Sequence, residues 1–123
     1  MNANIGLSDQ GFGYIQLPAR FDFACAGFYR TALAKLLVHA HAARVVLDMS
    51  ELTYVDSVGL ATLISWERFC KERATELVLE GCSKEIREEL KLLGVYRLFS
   101  VQEAAHKMQV PLPHLLGERA SPA

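Results

Sequence analysis

The feature of this 123-residue chain that most constrains its fold is a short apolar run, residues 44–49, that lies just ahead of a helix-start signal. The run is rich in β-branched residues and bounded by charges, which is typical of a strand buried on both faces of a sheet. Asp56 and Ser57 follow it, and both are favoured N-cap residues. The pattern predicts a central strand, a sharp turn, and a helix running to about Lys71.

Strand and helix patterns alternate along the rest of the chain. They predict a hairpin from residues 5–7 and 14–17, a helix over 23–40, a strand over 76–80, a helix from Ser83 to Gly94, a strand over 98–100 and a helix over 102–108. Alternation of this kind predicts an α/β fold with right-handed crossovers and a mostly parallel sheet. We expect one domain, residues 1–109, and a flexible C-terminal tail, residues 110–123.

Charge and hydropathy argue against a nucleic-acid-binding protein and against a membrane-spanning one. Thirteen Lys and Arg against fourteen Asp and Glu give a net charge of −1, so the chain lacks the basic field that recruits nucleic acid. No apolar run approaches the roughly 20 residues that cross a bilayer, and no signal-peptide pattern opens the sequence. We expect a cytoplasmic protein without direct membrane insertion.

The metal-ligating residue types are scattered. Cys25, Cys70 and Cys82 lie far apart without a C-x-x-C pair, which favours reduced structural thiols over a disulfide framework or a zinc site. His39 and His41 are two apart, so on a helix they diverge and cannot share a metal. We expect no metal and no organic cofactor.

The segment at residues 45–60, VVLDMSELTYVDSVGL, resembles the signature of the STAS family, named for sulfate transporters and anti-sigma-factor antagonists. In that signature a V-V-L-D-L-S strand is followed by an aromatic residue and then D-S-x-G-L. The resemblance covers about residues 12–108, with E-L-V-L-E-G at 76–81 and L-L-G-V-Y-R-L-F at 92–99 in the family's order. It implies a single-domain STAS fold with a mixed, mostly parallel sheet of about five strands and four helices.

The resemblance also implies a function, that of an anti-sigma factor antagonist regulating transcription by partner switching. Such a protein binds an anti-sigma factor, or a similar switch kinase of the ATP-binding histidine-kinase-like type, and is released when that kinase phosphorylates the Ser after the Asp. A PP2C-type serine phosphatase reverses the step. By this match the phosphoacceptor is Ser57. The alternative from position alone is that Ser57 is merely an N-cap.

A partner surface is expected around this serine. Asp22, in A-R-F-D-F, matches the Asp of the family's G-E-L-D element, although Ala19 and Phe21 depart from the usual Gly and Leu. Asp22 is equally suited to capping the first helix. Trp66 and Phe69 either join the surface or pack under the third helix. The predicted partner-binding residues are Asp22, Asp56, Ser57, Val58, Gly59 and Thr62.

Two other functions compete with that of an antagonist. A serine hydrolase needs a base beside the hydroxyl, usually on a G-x-S-x-G elbow, and position 55 is Val. We therefore predict no catalytic residues and no enzyme activity. The second function keeps the fold: small STAS proteins also serve as accessory subunits that bind the ATPase of a phospholipid-transport ABC transporter, and the sequence leaves this alternative open. It also leaves open an antagonist whose target is a regulator outside a sigma pathway.

Overall fold

The computed structural model describes residues 4–40 and 43–116, which form a mixed sheet with helices packed on one face. The strands are β1 Asn4–Ser8, β2 Gly13–Gln16, β3 Arg20–Phe21, β4 Arg44–Asp48, β5 Tyr54–Val55, β6 Glu76–Glu80, β7 Ser100–Gln102 and β8 Met108–Pro111. The helices are α1 Ala26–Ala40, α2 Ser57–Glu72 and α3 Lys84–Leu92, with short 3₁₀ turns at Tyr96–Leu98 and Pro113–Leu116.

The main sheet has six strands in the order β7-β6-β4-β2-β1-β8. Strand β4 lies between β2 and β6 and is parallel to both, which confirms the prediction of a central parallel strand. Strands β1 and β2 form the predicted antiparallel hairpin. The α/β class and the mixed, mostly parallel sheet are therefore confirmed.

One face of this sheet packs on the helices to make the core. Alternate strand residues such as Ile15, Leu47 and Leu79 belong to the same buried cluster as helix residues from α1, α2 and α3. Alternation places every second side chain of a strand on the same face. The three helices therefore cover one face of the sheet, and the intervening strand residues point to the other.

The predicted count of five strands and four helices is wrong, because the described part of the chain has six strands in its main sheet and three α-helices. The predicted strand over 98–100 lies instead at Ser100–Gln102, and the predicted helix over 102–108 does not form. Residues 103–107 connect β7 to β8, which lie at opposite edges of the sheet. This segment, which we call the crossing segment, must therefore pass across the sheet.

A buried carboxylate explains why the crossing segment is not helical. Oε1 of Glu80 accepts hydrogen bonds from the backbone N–H groups of Ala105 and His106, at 3.0 and 3.1 Å. Its Oε2 lies 2.6 Å from Nδ1 of His106. Met108–Pro111 then pairs with β1. These tertiary contacts override the local helix propensity of residues 102–108.

The predicted boundary between the domain and its tail falls within an element of the fold. The boundary between residues 109 and 110 falls inside β8, and the 3₁₀ turn Pro113–Leu116 packs on α1 and β1. Residues 117–123 of the predicted tail lie outside the described residues, so the mobility of the tail stays a prediction for them.

The three cysteines are free thiols buried in the fold. Burial raises the pKa of Cys70 and of Cys82 to about 11, which keeps both thiols protonated and poorly reactive at neutral pH. Within the residues described, no helix has both the length and the apolar character needed to cross a membrane.

Replacing either of two buried tyrosines by phenylalanine should change the free energy of unfolding in different ways. The hydroxyl of Tyr14 donates to Oδ2 of Asp48 at 2.6 Å, whereas the buried hydroxyl of Tyr29 has no hydrogen-bond partner among the described residues. We expect Tyr14→Phe to lower the free energy of unfolding by about 1 to 2 kcal/mol, and Tyr29→Phe to leave it unchanged or raise it slightly. Urea denaturation of the two variants measures the difference. An equal loss in both would contradict the assignment of these hydroxyls.

Candidate functional site

The predicted turn between the central strand and the second helix forms with Asp56 as the N-cap of α2. Asp56 has φ −94° and ψ −175°, and its Oδ1 accepts a hydrogen bond from the backbone N–H of Gly59 at 2.8 Å. This bond satisfies one of the amide groups that a helix start leaves free. Ser57 is therefore the first residue of the helix and not its cap.

A small second sheet brings the predicted Asp22 region to the same place. Strand β3 pairs in parallel with β5, with Phe21 opposite Val55. Just beyond β3, the backbone N–H of Phe23 donates to Oδ2 of Asp56 at 3.0 Å. One carboxylate thus joins the start of α2 to the segment that leads into α1.

Hydrogen bonds keep this carboxylate ionised. The N–H of Gly59 and, after it, that of Phe23 lower the pKa of Asp56 below its ordinary value. A lowered pKa in the folded state means that the stabilisation is present above the ordinary pKa and is lost as the pH falls through the folded value. At neutral pH the start of α2 therefore carries a fixed negative charge.

Gly59 sets how closely α2 approaches β3. A Cβ at this position would lie 2.1 Å from the backbone oxygen of Phe21 and 2.8 Å from Cγ2 of Val55. Neither backbone nor a packed β-branched side chain can yield that much space. The glycine of the D-S-x-G sequence is therefore required here by contact and not by an unusual φ angle.

The Ser57 side chain is exposed, and its hydroxyl makes no hydrogen bond within the described part of the chain. A side chain in the first turn of the 16-residue helix α2 stands next to the free amide groups and the positive end of the helix dipole. This location gives an anionic group on Ser57 a favourable position within its own protein.

Asp22 has a local structural role. Its Oδ1 accepts from the backbone N–H of Ala24 at 3.1 Å, and its backbone oxygen accepts from the N–H groups of Cys25 and Ala26. Nε of Arg20 lies 3.6 Å from its Oδ2. Asp22 therefore orders the turn that leads into α1, which begins at Ala26. The capping of α1 and the contact role predicted for Asp22 both stay predictions.

Two aromatic residues at the site were missed by the sequence analysis. Phe23 is 75% exposed and Tyr54 is 42% exposed, although most large apolar side chains of the chain are buried. The guanidinium of Arg20 lies 4.2 Å from the centre of the Tyr54 ring. Their signal in the sequence was an aromatic residue directly after Asp22 and another two residues before Asp56. With Val58, which is 41% exposed, they form what we call the apolar rim.

Two of the predicted partner-binding residues are buried. Gly59 lies under β3, and Thr62 is 2% exposed. The Thr62 hydroxyl donates to the backbone oxygen of Val58 at 2.8 Å and accepts from Nη2 of Arg30 at 3.3 Å. Both residues fix the first turns of α2, so the surface of the site consists of Ser57, the apolar rim and the edges of Asp22 and Asp56.

Trp66 and Phe69 do not lie on that surface. Trp66 is 2% exposed and packs against Phe21, with ring centres 5.6 Å apart. Phe69 is half-buried, and the guanidinium of Arg73 lies 3.4 Å from the centre of its ring. Both line a slot between α1 and α2. In the described ranges no cluster of three or more His, Cys, Asp or Glu side chains could hold a metal ion.

Comparison with known proteins identifies the family of this chain. Residues 8–108 match the STAS domain. The chain belongs to the STAS family. A curated STAS-domain containing protein of Pseudomonas aeruginosa (strain UCBPP-PA14) is 29% identical over 87 residues, covering 71% of this chain and 84% of that protein.

Solved structures show the same STAS fold. The anti-sigma factor antagonist SpoIIAA in its unphosphorylated form superimposes with a TM-score of 0.69 at 14% identity, covering 85% of this chain and 89% of SpoIIAA. The Bacillus cell fate determinant SpoIIAA in its phosphorylated form gives 0.66 at 14% identity, covering 85% and 92%. This STAS domain therefore has anti-sigma factor antagonists as structural neighbours.

The close approach at Gly59 of the STAS domain leads to a stability test. We expect Gly59→Ala to lower the free energy of unfolding by at least about 1 to 3 kcal/mol, because α2 must move away from β3. Gly27 in α1 has open space around its Cα, so Gly27→Ala should be neutral or stabilising by about 0.5 to 1 kcal/mol. Thermal denaturation of the two variants checks the contrast. Equal stability of both would contradict the contact.

Proposed function

We propose that this STAS protein is an anti-sigma factor antagonist that binds an anti-sigma factor, or a similar regulatory switch kinase, while Ser57 is unphosphorylated. Phosphorylation of Ser57 then releases the partner. The observation that carries the proposal is the exposed, unbonded Ser57 hydroxyl at the first residue of α2, within an otherwise hydrogen-bonded turn. The protein acts by occupying its partner in the cytoplasm, without metal, organic cofactor or substrate turnover.

The physical basis of release is a change of charge on a contact surface. A phosphoryl group adds about −1.5 to −2 charges next to the ionised Asp56. Within the protein the positive end of α2 favours that charge. A partner surface fitted to a neutral hydroxyl would instead bury an anion, which is costly. A loss of about 3 kcal/mol weakens binding on the order of a hundredfold.

The apolar rim supports a protein partner. Exposed aromatic side chains next to charged groups are typical of the residues that carry binding energy at protein interfaces. Phe23 and Tyr54 flank the Asp56 turn, and Arg20, Asp22 and Asp56 provide charges of both signs around them. The proposed partners are a histidine-kinase-like serine kinase and a PP2C-type phosphatase that restores the hydroxyl.

We expect Ser57→Ala to bind the partner constitutively and Ser57→Asp to bind it at least tenfold more weakly. Ser83→Asp is the matched control, because Ser83 is the N-cap of α3 and aspartate there adds the same charge at another helix start. The three variants are used as baits in lysate of the source organism, and captured proteins are identified by mass spectrometry.

The expected result is a kinase-like or anti-sigma protein that the Ser57→Ala and Ser83→Asp baits capture and the Ser57→Asp bait loses. Capture of an ABC-transporter ATPase by all three baits would replace the proposal with the lipid-transport function. Equal capture of a regulator by all three baits would show that negative charge at position 57 does not control binding of the partner.

The apolar rim has its own test once the partner is purified. We expect Phe23→Ala to weaken binding by about 2 kcal/mol, roughly thirtyfold, because it removes the most exposed aromatic ring of the site. Leu92→Ala is the control, since Leu92 is 88% exposed but lies on α3. Titration calorimetry compares them. Equal affinity of Phe23→Ala and the unmodified protein would exclude the rim from the interface.

A further inference from the structure

A slot of about 190 Å³ opens to solvent between α1 and α2, on the helical side of the sheet. Its surface is almost wholly apolar. Such a surface favours an apolar side chain over a polar ligand. The lining residues are Arg30, Leu33, Ala34, Ser65, Trp66 and Phe69. Ala34 and Ser65 are exposed, whereas Leu33 and Trp66 are buried and form the floor.

The volume limits what the slot accepts. A cavity of about 150 Å³ lined by apolar side chains holds benzene, whereas drug-sized ligands occupy about 300 Å³ or more. A slot of this size is therefore matched by one aromatic or branched aliphatic side chain.

Two exposed guanidinium groups stand beside the slot, one toward each end of α2. Nη2 of Arg30 donates to Oγ1 of Thr62 at 3.3 Å, and the guanidinium of Arg73 lies 3.4 Å from the centre of the Phe69 ring. The two contacted residues, Thr62 and Phe69, are about 10 Å apart along the axis of α2. Because both guanidinium groups are exposed, a carboxylate can pair with either of them from solvent without entering the slot.

The charge of the two helices favours an acidic occupant. Helix α1 has two basic residues, Arg30 and Lys35, and no acidic residue. Helix α2 with its C-cap Arg73 has three basic and two acidic residues. The whole chain, by contrast, has a net charge of −1. Positive charge is thus concentrated around the slot, where it attracts a negatively charged partner surface.

The slot is continuous with the apolar rim. The Thr62 hydroxyl, which Arg30 contacts, donates to the backbone oxygen of Val58, a member of the rim. Val58, Thr62, Ser65 and Phe69 follow one another at spacings of three and four, so they lie on one side of α2. A partner that contacts the rim can therefore extend along this side of α2 to the slot.

We propose that the slot docks an acidic amphipathic helix of the same partner. One aromatic or aliphatic side chain of that helix inserts between Leu33, Ala34 and Phe69. Carboxylates three or four residues before and after this anchor share its face and lie about 10 Å apart, so they reach Arg30 and Arg73. The inference rests on the proposed function in assigning the helix to that partner, whereas the chemistry of the slot is tested without it.

The probe is a synthetic peptide with blocked ends, A-E-E-A-A-F-A-A-E-E-A, titrated into the ¹⁵N-labelled protein. We expect saturable ¹H–¹⁵N shifts of the backbone amides of Ala34, Ser65 and Phe69, with a Kd on the order of 0.1 to 1 mM. Replacing the Phe of the peptide by Ala should weaken binding about tenfold or more, because the apolar anchor is lost. Replacing every Glu by Gln should weaken it about fivefold, because the ion pairs are lost.

Three protein variants locate the binding. Arg30→Gln should weaken binding of the peptide about threefold, whereas Arg97→Gln, which removes the same charge from the exposed 3₁₀ turn after α3, should leave it unchanged. In Ala34→Leu the added side chain occupies the slot, so the Phe and Ala peptides should bind equally. Dispersed NMR spectra verify that each variant is folded.

A second experiment assigns the helix to the partner. The double variant Ser57→Ala/Ala34→Leu, used as bait, should capture the regulator at least about tenfold less than Ser57→Ala alone. Equal capture would overturn the docking inference and leave the proposed function standing. Capture of no regulator by either bait would overturn the proposed function itself, and with it the assignment of the helix to that partner.

The inference is overturned if the peptide at up to about 5 mM shifts none of the slot amides. It is also overturned if Arg30→Gln and Arg97→Gln weaken binding equally, since the peptide would then bind through general charge. Shifts of the slot amides with protein concentration alone would assign the slot to a second copy of the chain. Shifts with anionic phosphatidylglycerol vesicles but not with the peptide would assign it to a lipid surface, and either result overturns the inference.

Discussion

The carboxylate of Asp56 is the group on which the arrangement of the site depends. One oxygen accepts from the N–H of Gly59 and begins α2, and the other accepts from the N–H of Phe23 and holds the segment before α1. Two stretches of chain that are far apart in sequence are thereby fixed next to Ser57. Because Gly59 also lets α2 approach Phe21 closely, the start of the helix has little freedom to move. Under the proposed function, a phosphoryl group on Ser57 would therefore change the charge of a rigid surface and leave the fold as it is.

Much of this architecture is predictable from local pattern. The apolar run ending at Asp48 has the β-branched composition of a strand buried on both faces, and it forms the centre of the sheet. The Asp-Ser pair predicts a helix start, although only the structure assigns the cap to Asp56 and leaves Ser57 exposed. Ser83 and Gly94 likewise predict where α3 begins and ends, because caps and left-handed glycines are determined by residues close in sequence.

The features that sequence could not predict depend on distant partners. Residues 102–108 have good helix propensity, but the carboxylate of Glu80, more than twenty residues earlier, binds the backbone of Ala105 and His106. The exposure of Tyr54 depends on the pairing of β3 with β5, and that of Phe23 on the turn that Asp56 holds beyond β3. Neither follows a periodic pattern in the sequence. The slot beside Trp66 arises from the packing of α1 on α2, which the separate helix patterns do not contain. Tertiary contacts decide such features over local preference.

The proposed switch requires that phosphorylation of Ser57 changes the surface of this STAS domain and leaves its fold intact. The most direct test incorporates phosphoserine at position 57 and compares ¹H–¹⁵N NMR spectra of the phosphorylated and unmodified chains. We expect shifts confined to the start of α2, the β3–β5 pair and the turn at Asp22, with the resonances of β4, β6 and α3 unchanged. Shifts spread through the central strands, or loss of dispersed resonances, would show that phosphorylation alters the fold and would contradict a switch that acts through the surface.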